Sequence, residues 1–380
     1  MENQSALFVT CATALEPLLL DELNQLGIDN VYLGFRGVYV ERWDMSTVYK
    51  INYASRLATR VLLPLTRFKC FDARALYRGA SLVDWSAIIK DRETIAIDSN
   101  VHHRDIRNSL FAAQVVKDAI CDQLRQKAGW RPSVNVQDPD VQLNLYIQNN
   151  MAIICFDTSG LPLHKRGYRQ ESVEAPMQET LAAAVLHLAN YYKDEILFDP
   201  CCGSGTILIE AALMASNTPP GYLRHKWGFM RHPWFNQLEW LKVRAEIDKN
   251  RIPLEPGHLF GIDNSKDAIR VAKINLKAAG FLREVDVRQG DLREYTPEVT
   301  PSLIIANPPY GKRMDEEERL RPLYRTLGEM MKKWSKSDSG RGFVFTGNLE
   351  LAKEVGLAPK RRHVLSSGGI DSRLLEFDLY

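Results

Sequence analysis

Apolar residues along this chain follow two different rhythms. Over residues 1–45 they read strand, helix, strand: "ALFVTC", then the amphipathic "LEPLLLDELNQLG" with Gly27 as its stop, then "GVYVERW". From 46 to 158 the order is mixed, with helical periodicity in "MSTVYKINYASRLATRVLL" and "SLFAAQVVKDAICDQLRQKAG" and strand-like runs in "TIAIDSN", "VQLNLYIQ" and "MAIICFDTS". Polar, glycine-bearing "SGLPLHKRGYRQESVEAP", residues 159–176, reads as a linker between domains. From 177 to 380 helix and strand alternate: "QETLAAAVLHLANYY", "EILFD", "TILIEAALMAS", "HLFGID", "SKDAIRVAKINLKAAG", "VDVRQGD", "SLIIAN", "RPLYRTLGEMMKKWS", "RGFVFTG". That alternation predicts a parallel sheet wrapped by helices, an α/β domain behind an α+β amino-terminal region. Gly368 and Gly369 predict a turn between two final strands.

Polar residues with chemical potential fall where the alternating strands end. "ILFDPCCGSGT" puts Asp199, Gly203 and Gly205 at the end of the first strand, where glycines let a ligand approach the backbone and the next helix offers free N–H groups. No Gly-Lys-Ser/Thr follows, which excludes a P-loop, and the full dinucleotide GxGxxG is missing. Asp263 in "FGIDNS" and Asp291 in "RQGDLRE" end the next two strands. A carboxylate past the second strand suits a ribose diol, and Asp291 suits an adenine amino group. The fourth strand runs into Asn307, Pro308, Pro309 and Tyr310, a stop that fixes an amide and a ring by two stiff residues.

Composition narrows the setting. No stretch approaches the roughly 18 uncharged apolar residues of a membrane span, and the first twenty residues lack the pattern of a secretion signal, so a cytoplasmic protein is expected. Six scattered cysteines without CxxC or nearby histidines predict reduced thiols and no metal. The net charge of +2 is mild, but basic residues dominate between Arg36 and Arg78 (Arg56 and Arg60 among them) and in "LHKRGYR", which carries Lys165, Arg166 and Arg169. Either run is a solvated face or a grip on nucleic-acid phosphate. The Trp-rich and basic excursion at about 217–257, between the glycine loop and Asp263, reads as a cap on the site, an RNA contact, or a helical excursion with its own core.

The ordered set DPCCGSG, GIDNS, GDLRE, NPPY resembles the Rossmann-like, S-adenosylmethionine-dependent methyltransferases that act on amino groups. With "SRLATRVLLPL", "RNSLFAAQVVKDAI", "LHKRGYR" and "APMQETLAAAVL", the chain resembles the THUMP-domain guanine-N2 methyltransferases of large-subunit (23S) ribosomal RNA. The resemblance implies a ferredoxin-like piece over 1–45, a THUMP RNA-binding domain over 46–158, and a class I methyltransferase domain over 177–380. Some members carry a second fused module; the chain stops at Tyr380, and the single-module form is expected. The implied cofactor site is Asp199, Pro200, Cys201, Gly203, Gly205, Thr206, Asp263, Asn264, Asp291, Leu292 and Asn307, with Pro176 and Thr180 bordering its methionine end. Asn307, Pro308, Pro309 and Tyr310 are the implied catalytic set: the Asn oxygen and Pro308 carbonyl hold two amino hydrogens, and the Tyr ring stacks on a flipped base. Arg56, Arg60, Lys165, Arg166, Tyr168, Arg169, Lys312 and Arg313 are the implied RNA contacts, Lys165, Arg166 and Arg169 alternatively holding the cofactor carboxylate. The partner is then ribosomal RNA or an assembly intermediate, and the motif alone also admits a tRNA guanine, an adenine N6 or a non-catalytic RNA-binding factor; nothing in the sequence speaks to oligomeric state.

Overall fold

Strands β1 (Leu7–Thr10), β2 (Val31–Gly34), β3 (Gly37–Val40), β4 (Arg60–Lys69), β5 (Thr94–His102), β6 (Ser133–Val134), β7 (Val141–Gln148) and β8 (Met151–Asp157) form one sheet in the order β2-β3-β1-β4-β8-β7-β5-β6. Alternation decides its two faces: Leu7, Val9, Val38, Val40, Leu143, Leu145 and Ile147 are fully buried, and the residues between them point the other way. Helices α1 (Glu16–Gln25), α2 (Met45–Ala54), α3 (Ala73–Ala80), α4 (Trp85–Ile88) and α5 (Ser109–Ala128) supply the rest of that core. This computed structural model describes residues 6–311, 314–334, 340–367 and 370–379. It divides into a first unit of 1–11, 19–163 and 224–246 and a second of 12–18, 164–223 and 247–380.

Two expectations for the first unit are corrected. The helical reading of 45–63 holds only to Ala54; β4 begins at Arg60. Buried Glu22 makes the break, its carboxylate accepting the Arg56 N–H at 2.7 Å and the Leu57 N–H at 3.3 Å, a partnership that periodicity does not reveal. The excursion, in turn, does not keep a core of its own. Its middle, 224–246, belongs to the first unit, where Phe229 packs on Tyr49 (4.8 Å between centroids) and Trp240 on Tyr53 (5.4 Å). Trp227 stacks on Phe229 at 5.6 Å, and Arg224 lies over Trp227 while donating to the carbonyls of Ser159, Leu161 and Pro162. Trp227, Trp240 and Arg224 are buried and serve a core, whereas Trp234 and the basic residues His225, Lys226 and Arg231 stay exposed.

The second unit holds a seven-stranded sheet. Its strands are β9 (Leu197–Asp199), β10 (Leu259–Asp263), β11 (Val285–Gln289), β12 (Leu303–Ala306), β13 (Gly340–Thr346), β14 (Arg361–Ser367) and β15 (Ile370–Leu379), in the order β11-β10-β9-β12-β13-β15-β14. The first five are parallel; β15 runs antiparallel to β13 and β14. The glycines read as the turn of the final hairpin, Gly368 and Gly369, lie outside the described residues. Helices α6 (Glu179–Leu188), α7 (Thr206–Ala215), α9 (Lys266–Ala279), α10 (Met314–Trp334) and α11 (Leu349–Lys353) connect the strands, with α8 (Gln237–Asp248) in the excursion. Leu303, Ile304, Ile305 and Ala306 are buried on both sides, as an interior parallel strand requires. Among the described residues no helix is long and apolar enough to cross a membrane.

Candidate active site

Strands β9 to β12 are parallel, so their carboxyl ends share one edge of the sheet, with the β9/β10 and β9/β12 pairs at its middle. Asp199 ends β9, 1% exposed, and its Oδ1 accepts the Cys201 N–H at 3.1 Å. Burial, followed by the nearby Asp263 charge, pushes its carboxyl up to about 8 against the pull of that hydrogen bond. The chain then turns through Pro200 to Gly205 on backbone that glycine favours, φ being +52° at Gly203 and +80° at Gly205. A Cβ at Gly205 would meet that of Ala272 at 3.4 Å, an ordinary contact, so it is the left-handed backbone that calls for glycine there. Burial raises the thiols of Cys201 and Cys202 well above their usual range, which leaves them neutral packing groups rather than nucleophiles.

Asp263, at the end of β10, accepts the Gly203 N–H on Oδ2 (3.0 Å) and the Ser265 N–H on Oδ1 (2.9 Å). Each oxygen retains acceptor capacity beyond those bonds. Exposed Asn264 follows, its carbonyl accepting from Gln289 at 3.1 Å. Asp291 is less available than its position suggests. The Arg293 guanidinium, with its own backbone N–H, engages both carboxylate oxygens and holds the group at about 2. Leu292 beside it is buried.

The NPPY turn is held from beneath. The Tyr324 hydroxyl donates to the Pro309 carbonyl (3.3 Å) and lies 3.0 Å from Thr346 Oγ1, and Asn348 Nδ2 donates to the Tyr310 carbonyl (3.3 Å) and Glu317 (2.8 Å). Asn348 Oδ1 meanwhile caps α11 through the Glu350 and Leu351 N–H groups. None of these three holders was identified from sequence. Their one signal there is a polar residue at a position otherwise given to the core: Tyr324 on the apolar face of α10, Thr346 at the end of β13. The β9/β12 register, Leu303 beside Leu197, sets Asn307 level with Cys201 when continued past the strand ends. Asn307 Oδ1 is buried and, among the described residues, accepts no hydrogen bond. Pro308 is buried, Tyr310 half-buried and Pro309 exposed.

The basic residues expected to meet RNA fare differently. Arg166 and Tyr168 are corrected: both are buried, Arg166 Nε 3.5 Å from Glu210 and the Tyr168 hydroxyl donating to Glu210 at 3.0 Å, with Glu210 itself fully enclosed in α7. Arg169 is half-buried and committed to neighbours of its own unit. It donates to Glu179 (2.8 Å), Ser204 Oγ (3.1 Å), Thr206 Oγ1 (3.0 Å) and the Met177 carbonyl (2.9 Å), bracing the glycine loop against the start of α6. The stretch 164–176 therefore belongs to the second unit, and of "HKR" only Lys165 is exposed. Buried Asn275 of α9 adds to this brace, donating to the Glu171 and Ser204 carbonyls at 3.1 and 3.3 Å. Arg60 is turned inward by Asp157, Asp98 (3.1 Å) and the Gly160 carbonyl (3.0 Å), and Arg56 is half-buried. Thr180 is buried in the first turn of α6 and Pro176 exposed; Lys312 and Arg313 lie outside the described residues.

Among the described residues no cluster of three His, Cys, Asp or Glu stands ready for a metal. Family comparisons match residues 6–62 to the RlmL ferredoxin-like domain, 70–157 to the THUMP domain and 166–375 to the RMKL-like methyltransferase domain. The chain is 37% identical to the ribosomal RNA large subunit methyltransferase K/L of Syntrophotalea carbinolica over 393 aligned positions, covering all of this chain and 54% of that protein. It thus spans about half the length of that relative. It is also 34% identical to slr0064 of Synechocystis sp., described as an RNA methyltransferase, covering 98% of this chain and 96% of that one. Among solved structures, SMU.472, described as a methyltransferase complexed with SAH, superposes with a TM-score of 0.86 at 26% identity, over 99% of this chain and 98% of that one.

Proposed function

The chain belongs to the RMKL-like methyltransferase family, and on that premise we propose that it methylates large-subunit ribosomal RNA from S-adenosylmethionine, at N2 of a guanine. When bound, S-adenosylmethionine supplies an electrophilic methyl group on a positively charged sulfur. The strand-end residues fit such a molecule. Asp263 has lone pairs left for a ribose diol, and the left-handed turn at Gly203 brings the backbone close without a side chain in the way. Pro200, Cys201, Thr206, Asn264, Leu292, Pro176 and Thr180 border this space in our reading, and Asp291 meets the adenine once Arg293 releases one of its oxygens.

The observation that carries the acceptor assignment is Asn307 Oδ1, buried and unpartnered among the described residues. A buried acceptor left without a donor costs about 1–3 kcal/mol, and a site that accepts an NH2 group from outside explains why it persists. An exocyclic amine is a weak nucleophile because its lone pair is drawn into the ring. With Asn307 Oδ1 and the Pro308 carbonyl each accepting one amino hydrogen, the nitrogen pyramidalises and its lone pair turns toward the methyl group. Two successive prolines and the Tyr324 and Asn348 hydrogen bonds keep those acceptors from following the substrate. Tyr310 offers its ring to the extruded base.

Tritiated methyl transfer to total RNA from a strain lacking the gene, followed by digestion to nucleosides, tests the reading. N2-methylguanosine in the large-subunit fraction is the expected product; N6-methyladenosine, or label confined to transfer RNA, DNA or protein, refutes it. In the Asn307→Ala variant transfer should vanish, cofactor affinity change less than threefold, and the folded state gain about 1 kcal/mol as the orphaned acceptor is removed. Collapse of cofactor binding along with activity would remove Asn307 from the acceptor site.

A further inference from the structure

The outward face of the first unit's sheet carries a line of aromatic rings that the catalytic reading does not use. Phe8 of β1 is in register with Tyr39 of β3, and Tyr39 with Tyr32 of β2. Ring centroids lie 4.6 and 5.1 Å apart, and the planes of Tyr32 and Tyr39 differ by 18°. Phe8 and Tyr39 have a structural task. A Cβ at Gly34 would fall 2.6 Å from the Tyr39 ring and one at Gly37 would fall 2.7 Å from that of Phe8, so these rings cover two edge glycines. Tyr32 covers neither. It lies against the outside of Tyr39 and is 44% exposed.

The same side of the sheet is covered next and then surfaces again. Phe8 is in register with Leu62, and Leu62 with Asp157 of β8; these two and Cys155, two positions along β8, are buried, and the face reopens at Ile153, flanked by Arg67 on β4 and Tyr146 on β7. Burial and then the Glu41 charge raise the Tyr32 phenol against a smaller opposing pull from Arg67, and Tyr146 is close enough to sense Tyr39. Arg67 and Lys69 are exposed and pair with no carboxylate among the described residues, whereas Asp98 on this face and Asp157 share the single Arg60 guanidinium. Five strand spacings separate β2 from β7, about 24 Å.

We propose that this face is a stacking platform for unpaired nucleotides of the RNA substrate, with Tyr32 as its outermost ring and Arg67 and Lys69 on the phosphates. The inference rests on the RNA reading above. Flat rings set beside unpaired cations match the recognition chemistry of single strands, in which stacking tolerates any base and cations follow the backbone.

Fluorescence anisotropy of the intact chain with a labelled single-stranded oligouridylate, and with a hairpin duplex as comparison, tests the platform. Tyr32→Ala should weaken single-strand binding about tenfold, Tyr32→Phe should restore it, and hairpin binding should be unchanged. Arg67→Gln should lower the slope of log affinity against log salt by about 0.7. Equal single-strand affinity of Tyr32→Ala and wild type, a loss that Tyr32→Phe shares, or a wild-type face that instead mediates self-association in sedimentation would each overturn the proposal. Circular dichroism of Tyr32→Ala guards against misfolding. Failure of the enzymatic reading is separable: it appears as absent RNA methylation by wild type, whatever Tyr32 does.

Discussion

Replacing Arg169 by Ala separates a brace on the glycine loop from a contact with RNA. In the structure its guanidinium makes four hydrogen bonds within the second unit, including one to the carboxylate of buried Glu179 and two to hydroxyls on the glycine loop. Removing one member of a buried ion pair costs 3–5 kcal/mol because the other charge is left behind. Arg169 keeps 20% of its side chain exposed, so the lower end applies, about 3 kcal/mol. Urea unfolding of the intact chain, followed by far-ultraviolet circular dichroism, measures that loss. The loop also loses its tie to α6, so cofactor affinity by calorimetry should fall at least tenfold while affinity for RNA stays within twofold. Arg169→Lys should recover little, since an ammonium cannot reproduce the planar fork. A variant with unchanged stability and cofactor affinity but impaired RNA binding would refute this reasoning and return Arg169 to the RNA-facing side.

Two further variants probe the strand ends. Tyr324→Phe keeps the ring but removes the hydroxyl from the Pro309 carbonyl and Thr346; turnover should fall about tenfold with cofactor affinity unchanged, and equal loss in both would show a general disturbance of the fold. Asp199, raised to about 8 in the folded chain, is protonated there while the unfolded chain has already released its proton, so its stabilising contribution is complete below about pH 4 and is lost as pH rises to 8. Asp199→Asn should therefore match wild type near pH 4 and exceed it near pH 9 by a few kcal/mol in urea titrations; parallel pH curves for the two proteins would show that Asp199 is not neutral in the native state.

The second unit was largely legible in the sequence because its interior strands are apolar throughout and its polar residues gather just past their ends. Periodicity placed β9 to β13 within a few residues and brought Asp199, Asp263, Asp291 and Asn307 to one edge of the sheet. What failed did so through long-range partners. "HKRGYR" looks like a solvated charged linker until Glu210, 44 residues beyond Arg166, appears against it inside the fold. Trp227 and Trp240 have the composition of a nucleic-acid contact, and only the apposition of Tyr49 and Tyr53 shows that they are interior. The helix-to-strand break before Arg60 depends on Glu22, an acid that sequence patterning assigns to a helix surface. Helices α3 and α4 are short and begin at Asp72 and Asp84 caps, too brief for a periodicity to register.

The return of residues 224–246 to the first unit bears on how the chain is made. Protein synthesis proceeds at about 5–20 residues per second, so after Leu163 leaves the exit tunnel several seconds pass before Trp240 follows. During that interval Tyr49 and Tyr53 have no aromatic cover, and a nascent chain paused there would present them to chaperones or to neighbouring nascent chains. Cutting the gene after codon 163 to obtain the amino-terminal half would make that transient state permanent, yielding a sticky product; a soluble version needs the 224–246 segment supplied in the same polypeptide.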